Sequence, residues 1–301
     1  ERSAMSNKPL SINAGPSGTL AFIGDRMNLG ENGNNLALKA TDPITIRPAT
    51  SSTPIEIAKP VNDALDLTLP ELGNIDVDDS KGKLIIGDRD SGTGNITFSN
   101  GLDLDNQADN VEIHGGAITL NASLEIDGST LLRASGLGNA SDIIQNSGQV
   151  RAEGSGDAAI LAAESDFINN TGSPRIETPN GRYLIYSDNP DDIVKGGLSG
   201  DNLYNRTFDS DPPSSVSSFG GNRFIYDFQP ELTFTADDKS RLFGAPNPKL
   251  TFSFSDVRTG DGDTQDDAFS GAPALQGPPP ITRPGAREIA INKGSLESEQ
   301  G

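Results

Sequence analysis

The sequence predicts an all-β chain whose first two thirds form a solenoid of short stacked strands, followed by a smaller β-domain of different make. Three observations lead there. From residue 10 to residue 186, alternating apolar segments of three to five residues recur every six to twelve residues, each ended by Gly, Asn, Asp or Pro. Only 33% of residues are apolar and 5% aromatic, with no Trp, which is too lean for a thick core but enough for narrow aliphatic columns. Past residue 204 the spacing fails, and Phe-rich segments separated by long Pro- and Gly-rich loops begin at Pro230. Strict alternation gives each segment one buried face, and a strand this short cannot bury that face alone, so neighbours must stack.

The elements follow in order. LSINA (10–14), ITI (44–46), IEIA (55–58) and LDLTL (65–69) alternate as strands. Between them GPSG (15–18), GENGNN (30–35) and TDP (41–43) supply corners, where Gly and Asn tolerate the positive φ of tight turns. Thr68 stands three residues before Glu71 with Pro70 between them, the pattern of a capped helical turn inserted into the rod. Strands resume at LIIG (84–87), ITF (96–98), VEI (111–113), ITLNA (118–122), LEI (124–126) and VRA (150–152), and continue to RYLIY (182–186). Asn169 and Asn170 follow Phe167 and Ile168 and are expected in a stacked amide ladder that satisfies its own hydrogen bonds. Residues 206–229 read as a Pro/Ser/Gly-rich linker, with 209–222 (DSDPPSSVSSFGGN) lacking regular structure. LTFTA (232–236), LTFSF (250–254) and REIAI (287–291) are the strands of the last domain. The organisation is therefore 1–205, 206–229 and 230–301.

Charge and rare residues exclude several functions. A net charge of −20 with no Lys/Arg cluster in the sequence argues against nucleic acid, whose phosphates need cations to displace counterions, and against adhesion to anionic lipid. The acidity otherwise serves the solubility of a long exposed surface. Zero Cys removes disulfides, thiolate nucleophiles and sulfur-ligated metals. No stretch reaches the 18 or so apolar residues of a membrane helix. The chain starts without a signal peptide and close to a strand, so it is expected to be a fragment of a longer polypeptide.

Chemistry is sparse. His114 is the sole histidine, which excludes a two-His metal site, and its place before Gly115 and Gly116 reads as a turn. The loop GDGDTQDD (260–267) offers Asp261, Asp263, Asp266 and Asp267, an oxygen-rich set that suits calcium or is simply solvated. It lacks the sixth-position Gly, terminal Glu and flanking helices of an EF-hand. No other cofactor is expected. Asp76, Asp78 and Asp79, and Asp88 with Asp90, are carboxylates at strand–turn junctions. Asp103 and Asp105 alternate with Leu102 and Leu104 and should point outward, without a basic or aromatic neighbour in sequence.

Two resemblances can now be named. TDPITIRPATSSTPIEIA (41–58), the stretch LDLTLPELGNIDVDDSKGKLIIGDRDSGTGNITFS (65–99) and FINNTGSPRIETPNGRYLIYSDNP (167–190) resemble motifs of filamentous-haemagglutinin-like exoproteins, adhesins exported by two-partner secretion. FTADDKSRLFGAPNPKLTFSFS (234–255), FSGAPAL (269–275) and EIAINKGSL (288–296) resemble an MBG-type immunoglobulin-like repeat. Two departures stand out: Ala286-Arg287 replaces the usual Gly-Tyr, and 297–301 replaces an Asn-Tyr strand, so the domain is expected to be truncated. The resemblance implies a right-handed parallel β-helix plus a small Ig-like β-sandwich. It also implies a non-catalytic part of a secreted bacterial surface adhesin, extracellular or on the cell surface. An outer-membrane transporter would export it, and it would contact a host cell, glycan or matrix surface, or a biofilm. Two alternatives accompany this: a passive stalk whose binding or toxin region lies elsewhere, and a β-helical polysaccharide lyase or hydrolase using surface carboxylates.

Overall fold

The computed structural model describes residues 10–13, 18–30, 36–40, 43–61, 63–77, 82–105, 107–136, 141–280 and 283–301. The corner residues 15–17, 31–35 and 41–42 and the carboxylates Asp78 and Asp79 lie outside the described residues. The chain divides into two compact units: Glu1–Gly200 with Thr207–Asp227, and Asp201–Arg206 with Phe228–Gly301.

The first unit is built from large parallel sheets, a β-helix-like arrangement. Its longest sheet runs through Leu20–Ile23, Ile44–Arg47, Leu84–Gly87, Asn110–Gly115, Ser129–Ala134, Gly156–Ala163, Gly181–Ser187 and Arg223–Tyr226, each parallel to the next. A second sheet stacks Leu65–Leu67, Ile55–Ile57, Ile96–Phe98, Ile118–Leu120, Ile143–Gln145 and Phe167–Asn169. Two smaller parallel sheets hold Leu102–Asp103, Leu124–Ile126, Val150–Ala152 and Ile176–Glu177, and Leu10–Asn13, Leu36–Ala40 and Ile75–Val77.

In-register pairing turns the sequence alternation into columns. Ile86, Ile113, Leu132, Leu161, Ile185 and Phe224 are successive partners across the long sheet, and every one is fully buried. In the second sheet Leu65, Ile55, Ile96, Ile118, Ile143 and Phe167 do the same. Each such aliphatic side chain contributes about 1.5–3 kcal/mol by leaving water.

The helical turn is found at Leu69–Leu72. The Thr68 N–H and hydroxyl both donate to Glu71 Oε2, at 2.8 Å each, and Leu29 N–H donates to Glu71 Oε1 at 3.0 Å. The amide ladder forms through Asn170 rather than Asn169: Asn170 Nδ2 donates to Asn146 Oδ1 and Asn146 Nδ2 to Asn121 Oδ1, both at 3.0 Å. Asn169 instead turns inward, fully buried, and donates to the Ser173 carbonyl at 3.1 Å.

The structure differs most at the expected linker. Thr207–Asp227 belongs to the first unit, and Arg223–Tyr226 is a strand of the long sheet. The stretch 209–222 folds as consecutive turns closed by Asp211 N–H to Thr207, Ser215 N–H to Pro212 and Phe219 N–H to Val216 carbonyls. Its physical reason is the strand GDAAILAA (Gly156–Ala163) and its neighbour Gly181–Ser187, where apolar residues run continuously and both faces need cover. Phe208 packs edge-on against Tyr186, centroids 5.3 Å apart, and the Tyr186 hydroxyl donates to the Asp211 carbonyl at 2.9 Å.

The second unit is antiparallel. Thr233–Ala236 pairs with Phe252–Ser255, Phe269–Ser270 with Glu297–Ser298, and Ala274–Gln276 with Ala290–Asn292. Phe234 and Phe254 each meet Phe269 in edge-to-face contact at 4.8 and 5.1 Å, which gathers the Phe-rich segments into one cluster. A short strand therefore does occupy 297–298.

Gly87 tests the rung spacing. Its φ is +94°, and a Cβ there would drive into the His114 backbone carbonyl. Gly156 also has positive φ, at +70°, but open space around it. Gly87→Ala should destabilise the first unit by about 3 kcal/mol or more and Gly156→Ala by about 1–2 kcal/mol, as read from denaturant unfolding.

Candidate functional site

A cluster of charged side chains lies on the outward side of the long sheet, and register explains it. Pairing sets Glu112 beside Ile85 and His114 beside Gly87. The absence of a side chain at Gly87 leaves room where two rungs would otherwise collide. Lys83 Nζ lies 2.5 Å from Glu112 Oε1, Arg89 pairs with Glu112 Oε2, and His114 Nε2 is 3.2 Å from the same oxygen. Arg47 Nη1 bonds Asp88 Oδ2 at 2.8 Å nearby.

His114 is not the turn residue its glycines suggest. It lies inside the strand Asn110–Gly115 and is 2% exposed. Gly115 is needed because a Cβ would strike Ile96 of the second sheet, so the glycine marks close packing rather than a bend. His114 Nδ1 has no hydrogen-bond partner among the described residues, and a void of about 10 Å³ lined in part by Gly87, Asp88, Gly94 and His114 adjoins the ring. That is room for about one water.

Burial alone would raise the Glu112 carboxyl, but hydrogen bonds from His114, Lys83 and Arg89 outweigh it and hold the group far below the usual carboxylate range. Asp88 is treated similarly: partial burial opposes, while the Asp90 N–H, the Ser91 hydroxyl and Arg47 lower it. These groups are permanent anions at neutral pH and act as electrostatic ties rather than proton donors. Sequence patterning missed this cluster because Lys83, Arg89 and Glu112 converge only through rung stacking.

Other expected carboxylates fall on different surfaces. Leu102 and Leu104 are buried at 2% and 1%, and Asp103 is exposed beside them. The Asp105 carboxyl is raised, by partial burial first and then by Asp103, Asp127, Glu125 and Glu153. Asp166 is raised in the same way, by burial and by Asp142, Asp192 and Asp188. Asp76 pairs with Lys39.

In the second unit the four aspartates of the 260–267 loop have separate duties. Asp263 is 6% exposed and accepts hydrogen bonds from Asn202 Nδ2 at 2.7 Å, the Tyr204 hydroxyl at 2.6 Å and Gln300 Nε2 at 3.0 Å. Asp261 pairs with Arg258. Asp266 lies in the helical turn Gln265–Ala268, and Asp267 caps that turn by accepting from the Thr264 N–H at 2.8 Å and its hydroxyl at 2.6 Å. Among the described residues no three acidic or histidine side chains are grouped to hold a metal ion. The loop is drawn apart because its most buried carboxylate is already saturated by neutral donors.

No protein-family model matches the chain, and neither a curated protein nor a solved structure matches it. No helix among the described residues is long and apolar enough to cross a membrane.

Two outcomes are expected. Glu112 has a folded pKa below its ordinary 4.5, so its contribution is present above about pH 4.5 and is lost as pH falls further. Glu112→Gln should therefore cost about 2 kcal/mol at neutral pH, and thermal unfolding at a series of pH values should show the gap to the parent narrowing under acid. Asp263→Ala removes one acceptor from three buried donors and should destabilise the second unit by about 3 kcal/mol, seen as faster amide hydrogen exchange in Phe269–Ser270 and Glu297–Ser298.

Proposed function

We propose that this chain is a non-catalytic stretch of a large secreted bacterial surface protein, a right-handed parallel β-helical stalk followed by an MBG-type Ig-like module, which serves cell, matrix or biofilm adhesion. An outer-membrane transporter would export it to the cell surface. The observation that carries the reading is the in-register stacking of parallel strands on several faces of one unit, supported by the resemblance of 41–58, 65–99 and 167–190 to filamentous-haemagglutinin-like exoproteins. Such stacking gives a stiff scaffold from very short strands and little apolar mass. It also repeats outward side chains along a surface, so affinity can build from many weak contacts. The polar cluster around Glu112 supports the same use, since its charges are spent on one another and tie adjacent rungs.

The purified chain, immobilised on beads, should retain cells, matrix proteins or biofilm polymer above beads carrying an unrelated acidic protein. Equal retention by both bead types across all three surfaces would sink the proposal.

A further inference from the structure

The second unit gathers cations that the sequence scatters. A cleft of about 490 Å³ is lined by Lys239, Arg241, Arg283 and Arg287, with Asp238 as its one carboxylate. This is a positive concavity in a chain of net charge −20, and its size falls within the range of about 300–1,000 Å³ typical of small-ligand pockets.

One of these cations builds the cleft. Arg241 Nε donates to Asn247 Oδ1 at 2.7 Å, its Nη1 to the Pro280 carbonyl at 2.9 Å and its Nη2 to the Pro279 carbonyl at 2.8 Å. Asn247 Nδ2 completes the clamp on the Pro278 carbonyl at 3.0 Å. The wall is therefore locked before any ligand arrives, and the Arg241 charge is set against neutral acceptors. Lys239 stands 4.0 Å from Asp237. Arg283 and Arg287 make no hydrogen bond or ion pair with another described residue and are exposed. Two guanidinium groups without an anion, facing a prepared concavity, suit bidentate carboxylate recognition.

The rest of the lining selects among carboxylates. Pro248, Pro278 and Pro284 lack N–H groups, and Arg241 occupies the carbonyls of Pro279 and Pro280, so an acidic peptide would find few main-chain partners there. The Phe243 ring, 66% exposed, and the proline rings offer faces for the C–H side of a sugar. A long polyanion would also be repelled by the acidic remainder of the chain, whereas a short one would not.

We propose that this cleft binds a short uronic-acid saccharide, with Arg283 and Arg287 holding its carboxylate. The assignment deepens the adhesive reading and rests on it for biological meaning, since it names the glycan class the surface would grip. Titration of the full chain with digalacturonate, followed by NMR or calorimetry, should show binding that weakens with salt. The neutral digalactose, and the Arg283→Ala/Arg287→Ala variant with digalacturonate, should each bind at least about tenfold more weakly. The Arg283→Lys/Arg287→Lys variant should recover part of the loss. The two arginines are exposed and unpaired, so an unchanged circular dichroism spectrum is expected of both variants. Equal binding of digalactose, unchanged binding by the alanine variant, tighter binding of a hexaglutamate peptide, or full competition by inorganic phosphate at the same concentration would each overturn the proposal. Beads that retain cells equally with parent and alanine variant, in the absence of digalacturonate binding, refute the cleft alone. Digalacturonate binding without any bead retention refutes the adhesive reading alone.

Discussion

Parallel stacking in register is the constraint on which the first unit depends. Neighbouring strands lie about 4.8 Å apart and keep the same side of the backbone facing inward, so a residue's neighbours are its register partners on the rungs above and below. An aliphatic column tolerates this well, because Ile on Ile or Leu on Ile fills a narrow core without voids. A polar group in a column has only the stack or the corner beside it to draw a partner from. The column of Leu67, Ile57, Phe98 and Leu120 passes to Gln145 and then Asn169. Gln145 Nε2 donates to the carbonyls of Gly148, at 3.3 Å, and Arg175, at 3.1 Å, while Asn169 satisfies the corner at Ser173. In both amides the N–H donors reach corner carbonyls.

The outward side of the long sheet obeys the same geometry with a different result. Leu131, Ile160 and Leu184 form one outward column, and Arg133, Ala162, Tyr186 and Ile225 form another. The second turns apolar toward the later rungs, and the first stays apolar from Leu131 until it ends at Arg223, so water must be excluded from two faces. The segment 207–222 supplies that cover: Phe208 lies beside Tyr186 and under Arg133, whose guanidinium carbon is 5.0 Å from the ring, and Arg182 donates to the Phe219 carbonyl. Val216 is fully buried there. A Pro/Ser/Gly-rich composition is compatible with order when the surface beneath it is apolar and its turns close their own hydrogen bonds.

What could be read from the chain follows the range of the forces involved. Strand alternation, the Thr68–Glu71 cap and the Asn170 ladder rest on local period, on a three-residue spacing, or on copies one coil apart, 24 and 25 residues in the ladder. All were legible. His114 misled because Gly115 and Gly116 look like one turn, yet Gly115 is still strand and answers to Ile96 of a sheet that approaches from another rung, and the bend begins only at Gly116. The 207–227 segment misled because its order depends on Leu184 and Tyr186, which by composition simply continue the repeat. The Asp261–Asp267 loop looked like a ligand set because its acids are adjacent, but Asn202, Tyr204 and Gln300, distant in sequence, decide where Asp263 points. The cations of the Pro-rich cleft were invisible for the same reason, since more than forty residues separate Lys239 from Arg287.

Stacking also sets how the acidic first unit responds to acid. Register places Asp103, Glu125, Arg151 and Glu177 in one outward column, and Arg151 there is paired with Glu153 at 2.5 Å and Glu177 at 3.0 Å. Around Asp105 and Asp166, partial burial and like charges raise the carboxyl. A raised carboxyl costs stability at neutral pH and returns it as pH falls through the folded pKa, the opposite sign to Glu112. The −20 net charge is therefore not a uniform liability: acids tied to cations lose their contribution on protonation, while crowded acids are relieved by it. Because these effects oppose each other below about pH 4.5, the fold's acid response is governed by how many carboxylates have a cation within reach, and the stacking register decides that number more than the count of acids does.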